Sequence, residues 1–472
     1  MKPLLLILLL WATVLPVAAQ SQVARFVNEV CPESLSRLAG SGMRCGRLHV
    51  PEDRYSKASA EISVFVVQLP ARVKGDSRPI IVLAGGPGDA ASAETAWWLN
   101  TRLRDKHDII LVDQRGAGRS RPSLNCPEFD ASDDEDSLAE CRDRLLAEGI
   151  KLTAYGPESI ARDIADLIKA LELGPANVYA HSYGARVARL LAQMRPQQIR
   201  AMLLDSAYTG EASALASAAP NVMRSMQRLY ADCQANDACL AAYPDLATQF
   251  SRAAAALGAR PVEVDGISPD SALRLDSESF VILLRDMLAD AERLPYIPAL
   301  IAAIAEGDDD LLDSVASDVM SPAQASADAH SEGLYFSALC VDEIARTSRA
   351  EIKAEAAALP PAYQPLAASA QDLLLDCLNW IDAGTGLSRE PPRREIPTLH
   401  LLGAYDPIAP VAALNGPLVW RQAFPRLGHG VLEYEPCAEA LAVAFFANPT
   451  AAPVEDCFKD LRPPAFFIRR DS

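Results

Sequence analysis

One serine of this chain stands in a setting that could make it a nucleophile. Ser182 lies within Ala180-His181-Ser182-Tyr183-Gly184, between an apolar run that predicts a strand and an amphipathic stretch that predicts a helix. Small residues on both sides of such a serine allow a sharp turn that lifts the hydroxyl clear of a sheet. The alternative is an ordinary serine at a helix N-terminus. The strand–turn–helix context favours the nucleophile.

A serine nucleophile needs a base, and the base needs an acid that orients it. His429 stands between two glycines in a loop-like stretch, and Asp406 lies between an apolar run that ends at Leu402 and Pro407. Their alternatives are a surface-loop histidine and a turn-forming aspartate. The other histidines lie before Ser182, in the helical insertion or within a strand-like run: His49, His107, His181, His330 and His400. The order Ser182, Asp406, His429 is the one expected when the nucleophile ends a strand of an α/β sheet.

Backbone amides near the serine could stabilise the negative oxygen that forms during acyl transfer. Tyr183 follows the nucleophile and would supply one N–H group. The stretch Gly85-Gly86-Pro87-Gly88 follows an apolar run and would supply the second from Gly86, since proline has no N–H. A phosphate-binding loop is the rival interpretation, but the lysine followed by serine or threonine that it requires is missing.

The elements that must position these residues follow from the apolar pattern. Continuous aliphatic runs alternate with amphipathic stretches from about Ile62 to Asp205, which predicts strands buried on both faces of a largely parallel sheet. The runs are Ile80-Ile81-Val82-Leu83, Ile109-Ile110-Leu111-Val112, Val178-Tyr179-Ala180, Ala201-Met202-Leu203-Leu204 and Thr398-Leu399-His400-Leu401-Leu402. The chain after about Tyr208 is alanine-rich and helical in pattern. We therefore expect an α/β domain, with helices on both faces of its sheet, interrupted by a helical insertion.

The first residues predict a targeting signal. Lys2 precedes an unbroken apolar run, and Val17-Ala18-Ala19 supplies small residues before a cleavage point, so we expect residues 1–19 to be removed. An uncleaved membrane anchor is the alternative, although the apolar stretch is short. The predicted divisions of the chain are then residues 1–19, 20–207, 208–390 and 391–472.

All ten cysteines lie in the part that would be exported, and an even number in an exported chain predicts five disulfides. Pairing of neighbours is the simplest hypothesis: Cys31 with Cys45, Cys126 with Cys141, Cys233 with Cys239, Cys340 with Cys377 and Cys437 with Cys457. A zinc site competes with this interpretation, but no Cys-x-x-Cys sequence occurs and no histidine lies at ligand spacing. We expect neither a metal nor a cofactor.

Composition excludes several classes of protein. The 472 residues include 44 Lys and Arg and 62 Asp and Glu, which gives a formal charge of −18, and half of them are apolar. This balance is typical of a globular protein. So negative a chain is not expected to bind nucleic acid, which requires a basic surface. No segment after the signal approaches a membrane span, so we expect no membrane partner after cleavage. The oligomeric state is left open.

These motifs together resemble the proline iminopeptidase branch of the α/β-hydrolases. The resemblance rests on Gly85-Gly86-Pro87-Gly88, on Asp113-Gln114-Arg115-Gly116-Ala117-Gly118-Arg119-Ser120 and on the turn at Ser182. The ten cysteines, the long insertion and Cys340-Val341-Asp342-Glu343 resemble the exported tripeptidyl aminopeptidase-like members. Two departures are Ala84, where many relatives have histidine, and Ala180, where the turn usually has glycine.

The resemblance implies an α/β-hydrolase fold with a helical cap, and it gives Ser182, Asp406 and His429 the roles of a catalytic triad. It gives Gly86 and Tyr183 the oxyanion hole. Acidic cap residues of this family bind the free amino terminus of the substrate, and Glu343, with Asp342 beside it, matches that position. A solvated helix carboxylate is the alternative for Glu343.

The sequence therefore predicts an exported serine aminopeptidase that acts on peptides with a free N-terminus. An esterase or amidase for small acyl compounds is the first alternative, because the same groups perform both reactions. A catalytically silent binding protein on the same fold is the second. The sequence does not determine how many residues leave per cleavage, whether proline is preferred, or whether the protein stays in a periplasm.

Overall fold

The computed structural model describes residues 23–38, 42–75, 78–131, 136–268, 271–319, 329–381, 394–409 and 414–469. The expected signal at residues 1–19 therefore lies outside the described residues. The strands are β1 (Arg25–Glu29), β2 (Arg44–Pro51), β3 (Glu61–Leu69), β4 (Ile80–Leu83), β5 (Ile109–Val112), β6 (Ala176–His181), β7 (Ile199–Asp205), β8 (Val262–Ser268), β9 (Ser271–Leu275), β10 (Thr398–Gly403) and β11 (Val419–Phe424).

Helices fill the intervals between the strands, and short 3-10 turns accompany them. The α-helices are α1 (Glu33–Ser36), α2 (Thr95–Asn100), α3 (Glu128–Ala131), α4 (Ser137–Ala147), α5 (Pro157–Ala170), α6 (Gly184–Met194), α7 (Ala214–Gln234), α8 (Asp237–Ala242), α9 (Leu246–Ala259), α10 (Ser277–Ala289), α11 (Ile297–Glu306), α12 (Asp309–Val319), α13 (Glu332–Glu343), α14 (Arg349–Ala357), α15 (Gln364–Trp380) and α16 (Pro436–Ala447).

Nine strands form one sheet in the order β1-β2-β3-β5-β4-β6-β7-β10-β11. The strands from β5 to β11 in this order run parallel, whereas β1, β2 and β3 pair antiparallel with one another and β3 pairs antiparallel with β5. The prediction of a mostly parallel α/β sheet is confirmed. The antiparallel start lies mostly before the region where the apolar pattern predicted strands.

The central strands are strands because both of their faces are buried. All four residues of β4 and all four of β5 are aliphatic and inaccessible to water, and each such side chain stabilises the fold by roughly 1.5–3 kcal/mol. The helices α5 and α6 pack their apolar stripes against one face, and α16 covers the other. The sheet therefore has the helices on both faces that the sequence predicted.

A helical cap, comprising α7 to α15 and the hairpin of β8 and β9, lies between β7 and β10 in the chain. Much of it packs around its own apolar cluster, which includes Leu229, Phe250, Phe280 and Leu300. The hairpin was not predicted, since the insertion shows few strand-like runs. The predicted division at 390/391 falls outside the described residues, so the exact limits of the cap stay a prediction.

All ten cysteines form disulfides, and each pairs with its neighbour in the chain. The predicted pairing is confirmed. Cysteine binds zinc as a thiolate, and a sulfur in a disulfide is not a thiolate. This pairing therefore leaves no cysteine that could bind the zinc ion considered above. Within the described ranges, the helices are too short or too polar for any of them to cross a bilayer.

Candidate active site

Ser182 follows β6 directly and adopts a φ of 51°, in the left-handed region that only a few residues other than glycine occupy. Its carbonyl oxygen accepts hydrogen bonds from the amides of Ala185 and Tyr208, which hold the turn. Gly184 is required here, because a Cβ at this position would lie 2.3 Å from the carbonyl oxygen of Leu83. The strand, the strained turn and the helix α6 together form the arrangement that presents a nucleophile.

Asp406 and His429 form a hydrogen-bonded pair. The His429 Nδ1 atom lies 3.0 Å from Oδ2 and 3.1 Å from Oδ1 of the Asp406 carboxylate. Because a carboxylate only accepts, Nδ1 carries the proton and Nε2 is left free to act as a base. The amides of Ile408 and Ala409 donate to Asp406 Oδ1 and fix the orientation of the carboxylate.

Electrostatics tune the imidazole of His429, whose side chain is 11% exposed. Burial on its own lowers the pKa of His429, but the charge of Asp406 and its hydrogen bond outweigh burial, with smaller contributions from Asp205 and Asp89, so the pKa is raised above its ordinary value. A raised pKa makes the imidazole a stronger base and holds it protonated to a higher pH. A general base works best when its pKa lies near the working pH, and Asp406 offsets the burial that would otherwise weaken this base.

Two contacts bring the His429 loop beside the serine turn. Asp205 is the last residue of β7. Its side-chain carboxylate accepts hydrogen bonds from the amides of Val431 and Leu432, and its backbone carbonyl oxygen accepts one from the amide of Ser182. The ring centroids of His181 and His429 lie 5.1 Å apart. In the described part of the chain the Ser182 hydroxyl makes no hydrogen bond to His429, and such contacts often tighten only when substrate binds.

The glycine-rich loop after β4 lies against the serine. A Cβ on Gly85 would come within 2.9 Å of Ser182 Cβ, so only glycine allows this approach. Gly86 and Tyr183 line the same cavity as Ser182, which is the placement that an oxyanion hole needs. The side chain of Gln114 holds the loop from behind, since its Nε2 donates to the carbonyl oxygen of Ala84 at 2.9 Å. The roles of these amides stay predictions.

A cavity of about 210 Å³ lies between the serine and the cap. Its apolar walls come largely from cap helices and include Leu215, Val222, Ile282, Leu339, Leu366 and Ile408. Arg285 is the charged residue of its lining, and its guanidinium donates to the Asp286 carboxylate at 2.8 and 3.0 Å. The cap thus covers the edge of the sheet and forms a mainly apolar space above the serine.

Asp342 does not line this cavity. Its carboxylate accepts from Nε and an Nη atom of Arg186 at 3.0 and 2.9 Å, and the two side chains are 1% and 2% exposed. Arg186 lies in α6 beside the nucleophile and Asp342 lies in α13 of the cap. The sequence predicted a substrate contact for Asp342, whereas the structure places it in a buried ion pair that joins the cap to the core.

Glu343 is fully buried next to it and is also held by protein groups. Its carboxylate pairs with Arg346 and accepts from the hydroxyls of Tyr208, Ser213 and Thr347. Burial on its own raises the pKa of Glu343, but Arg346 and these hydroxyls outweigh it and hold the pKa below its ordinary value. Tyr208 reaches the cavity whereas Glu343 does not, so the carboxylate supports the wall and is not itself exposed to a ligand.

Sequence reasoning missed the aspartates that position the loops. Asp113 follows β5, is completely buried, and accepts from the amides of Ser92 and Arg119 behind the glycine-rich loop. Asp205 performs the same task for the His429 loop. Both aspartates stand directly after a buried apolar run, and polar residues at the carboxyl ends of parallel strands meet at one edge of the sheet. That position is the signal that could have found them.

His181 was also missed as part of the site. Burial and the nearby charge of His429 lower the pKa of His181, so this neighbouring imidazole stays neutral. Its Nε2 atom is buried, and no group of the described chain forms a hydrogen bond with it. The position of His181 inside the serine turn was the available signal.

The sheet order, the turn at Ser182 and the Asp406–His429 pair define a hydrolase-type site on an α/β scaffold. A family model described as alpha/beta hydrolase fold matches residues 78–438, and the chain belongs to that family. It is 26% identical over 228 residues to serine protease Hip1 of Mycobacterium tuberculosis, covering 42% of this chain and 43% of that protein.

The chain also resembles a proline iminopeptidase of Neisseria meningitidis, with 29% identity over 133 residues, 28% of this chain and 34% of that protein. The chain thus matches less than half the length of each of these curated relatives. An α/β hydrolase structure from Novosphingobium aromaticivorans covers 87% of this chain and 99% of its own, at 14% identity and a TM-score of 0.37.

Proposed function

We propose that this protein is an exported serine aminopeptidase, which removes single residues or short peptides from the free amino ends of peptides. The observation that carries the proposal is the position of Ser182, which turns sharply out of β6 and lines a cavity under the cap. The Asp406–His429 pair lies on adjoining loops. A cavity of about 210 Å³ accommodates a few side chains and excludes a folded protein.

In the proposed reaction the Ser182 hydroxyl attacks the carbonyl carbon of the scissile bond while Nε2 of His429 takes its proton. Asp406 holds the imidazole in the required tautomer and stabilises its positive charge. The amides of Gly86 and Tyr183 donate hydrogen bonds to the oxyanion, and the imidazolium then protonates the leaving amine. Water hydrolyses the acyl-enzyme by the same steps.

A preference for substrates with a free amino end is supported by the carboxylates near His181 and His429. Burial and the nearby charges of Glu433, Asp89 and Asp205 raise the pKa of Glu94 to about 7, and Glu433 also interacts with Asp205. Several carboxyl groups are thus concentrated at this edge of the sheet. A negative potential attracts an ammonium group and repels a free carboxylate. In this proposal Asp342 and Glu343 act indirectly, by fixing the cavity wall.

The named relatives support a peptidase, since one is called a serine protease and the other a proline iminopeptidase. Export is supported by the predicted signal at residues 1–19 and by five disulfides, which persist in oxidising compartments. One observation favours the alternative of an esterase for small acyl compounds: among the described residues, none that lines the cavity carries a carboxylate.

The test compares Ser182→Ala with Ser251→Ala, which removes an exposed hydroxyl from the cap helix α9. Chromogenic anilides of one and three residues, with free or acetylated amino ends, are assayed beside acyl esters. We expect the Ser182 variant to lose about 10⁶-fold in turnover, with the control unchanged, and only free amino ends to be cleaved. Retained activity in Ser182→Ala refutes the mechanism, and turnover of acyl esters and acetylated anilides supports the alternative.

A further inference from the structure

A second cavity, of about 510 Å³, lies at the opposite edge of the sheet from Ser182. Parallel strands begin at this edge: Arg78 precedes β4, and Arg200 is the second residue of β7. Leu103 and the end of α16, with Val443 and Phe446, form its apolar floor. The cavity is therefore separated from the proposed catalytic groups by the length of the central strands.

Basic side chains dominate this second cavity. Arg78, Arg102, Lys106, Arg200 and His107 line it. Such a concentration is notable in a chain whose formal charge is −18, because most of the surface must repel anions.

The carboxylates close to the cavity are engaged by other groups. Asp108, whose charge acts on His107, accepts from the amide of Ala71 at 2.7 Å. Asp105 is the acidic residue of its lining, and its carboxylate accepts from an Nη atom of Arg72 at 2.6 Å. Glu439 accepts from the hydroxyl of Thr101 and from the backbone amide of Arg102. These contacts leave the cationic side chains without acidic partners.

Within the described ranges, none of the four cationic side chains forms an ion pair. Arg200 donates from one nitrogen to the Asn177 side chain and to the carbonyl oxygen of Phe446, both at 3.0 Å. Burial and the nearby charge of Arg78 lower the pKa of Arg200. Like charges held together in a concave, partly apolar site repel one another and raise the free energy of the empty site. A bound anion would replace this repulsion with attraction.

We propose that this cavity binds a phosphate-class anion. Several guanidinium groups and an ammonium that line one concave site match a group with two or more negative charges and several acceptor oxygens. The volume exceeds that of a single phosphate, and the apolar floor suits the remainder of a larger ligand. Free polyphosphates and phospholipid headgroups carry this same chemistry.

The test measures binding of inorganic pyrophosphate by calorimetry to the full chain and to the double variant Arg102→Gln/Lys106→Gln. Both positions are exposed, so the change should preserve folding. The matched control is Lys57→Gln/Arg252→Gln, which removes the same charge from exposed positions outside the cavity. We expect the cavity variant to bind at least about tenfold more weakly and the control to bind as the native chain does.

A second arm identifies the source of the anion. Sedimentation with vesicles of phosphatidylcholine, with or without phosphatidic acid, detects headgroup binding, and added pyrophosphate competes if the site is shared. Binding in either arm that the cavity variant weakens supports the proposal. No binding in both arms, or equal weakening in the control, overturns it. Arg78→Gln repeats the test independently if the double variant melts at a lower temperature.

Discussion

The change Asp342→Asn tests whether the carboxylate of Asp342 stabilises the fold or binds substrate. Arg186 and Asp342 are almost completely buried and share two hydrogen bonds of 2.9 and 3.0 Å. Removing one charge from a buried pair costs about 3–5 kcal/mol, because the charge of Arg186 then stays buried with no opposite charge at position 342. The shift in melting temperature is the lost free energy of unfolding divided by the entropy of unfolding. At about 2.1 cal/mol/K per residue, 472 residues give an entropy of about 1 kcal/mol/K. The expected loss of melting temperature is therefore about 4 °C.

The assay combines calorimetric melting with kcat/KM for substrates whose amino end is free or acetylated. The double variant Arg186→Met/Asp342→Leu should recover most of the melting temperature, because it removes both charges together. Glu33→Gln is the control, since its ion pair with Arg37 is exposed and its loss should leave the melting temperature unchanged. An unchanged melting temperature in Asp342→Asn, with a KM raised only for free amino ends, would refute the structural role.

Three further changes test other parts of the structure. Asp406→Asn should lower kcat by about 10⁴-fold. The increase in rate that accompanies deprotonation of His429 should also move to lower pH, because the Asp406 carboxylate raises the pKa of His429. An unaltered pH–rate profile contradicts this prediction. His400 is buried, which lowers its pKa to about 4 from an ordinary 6.5, so the unfolded chain takes up the proton first as pH falls. Stability is then full above pH 6.5 and falls by about 3 kcal/mol towards pH 4. Melting of His400→Leu should lack this part of the acid dependence, and equal slopes in both proteins would disprove it. Cys340→Ser/Cys377→Ser opens a 37-residue loop and should cost about 4 kcal/mol; protease cleavage of the cap at the native rate would contradict that figure.

The cap does more than cover the cavity, because it also holds the catalytic loops. The carbonyl oxygen of Asp406 accepts from Arg224 at 2.7 Å and from the Ser225 hydroxyl at 2.9 Å, both in α7. The amide of His429 donates to the carbonyl oxygen of Ala289, at the end of α10. Changes in cap packing should therefore alter the geometry of the proposed catalytic groups as well as access to them.

The cap also explains why a covered site forms on an open sheet. The loops that carry Asp406 and His429 leave the sheet at its carboxyl edge, where polar backbone groups need partners. The helices α7 and α10 supply those partners and the apolar walls at the same time. One insertion thus covers the cavity and fixes the loops.

The sequence by itself predicted the parallel core, the helices on its faces and the loops that carry Ser182, Asp406 and His429, and the pairing of neighbouring cysteines was its simplest hypothesis. These features are local, since an aliphatic run, an amphipathic period, a short cysteine spacing or a turn of small residues is complete within about 20 residues. The helical insertion and the glycine-rich loop also followed from the residues, whereas the resemblance to a known family added the interpretation of the insertion as a cap and the substrate-binding role of Asp342 and Glu343.

Only the tertiary structure decided the partners of charged groups. Nothing near Asp342 in the sequence shows that it faces Arg186, 156 residues away, and not a ligand. The basic cavity likewise gathers Arg78, Arg102 and Arg200 from segments far apart in the chain. A carboxylate or guanidinium has the same local pattern whether it is solvated, paired or free to bind, because its role depends on the charge that the fold places beside it.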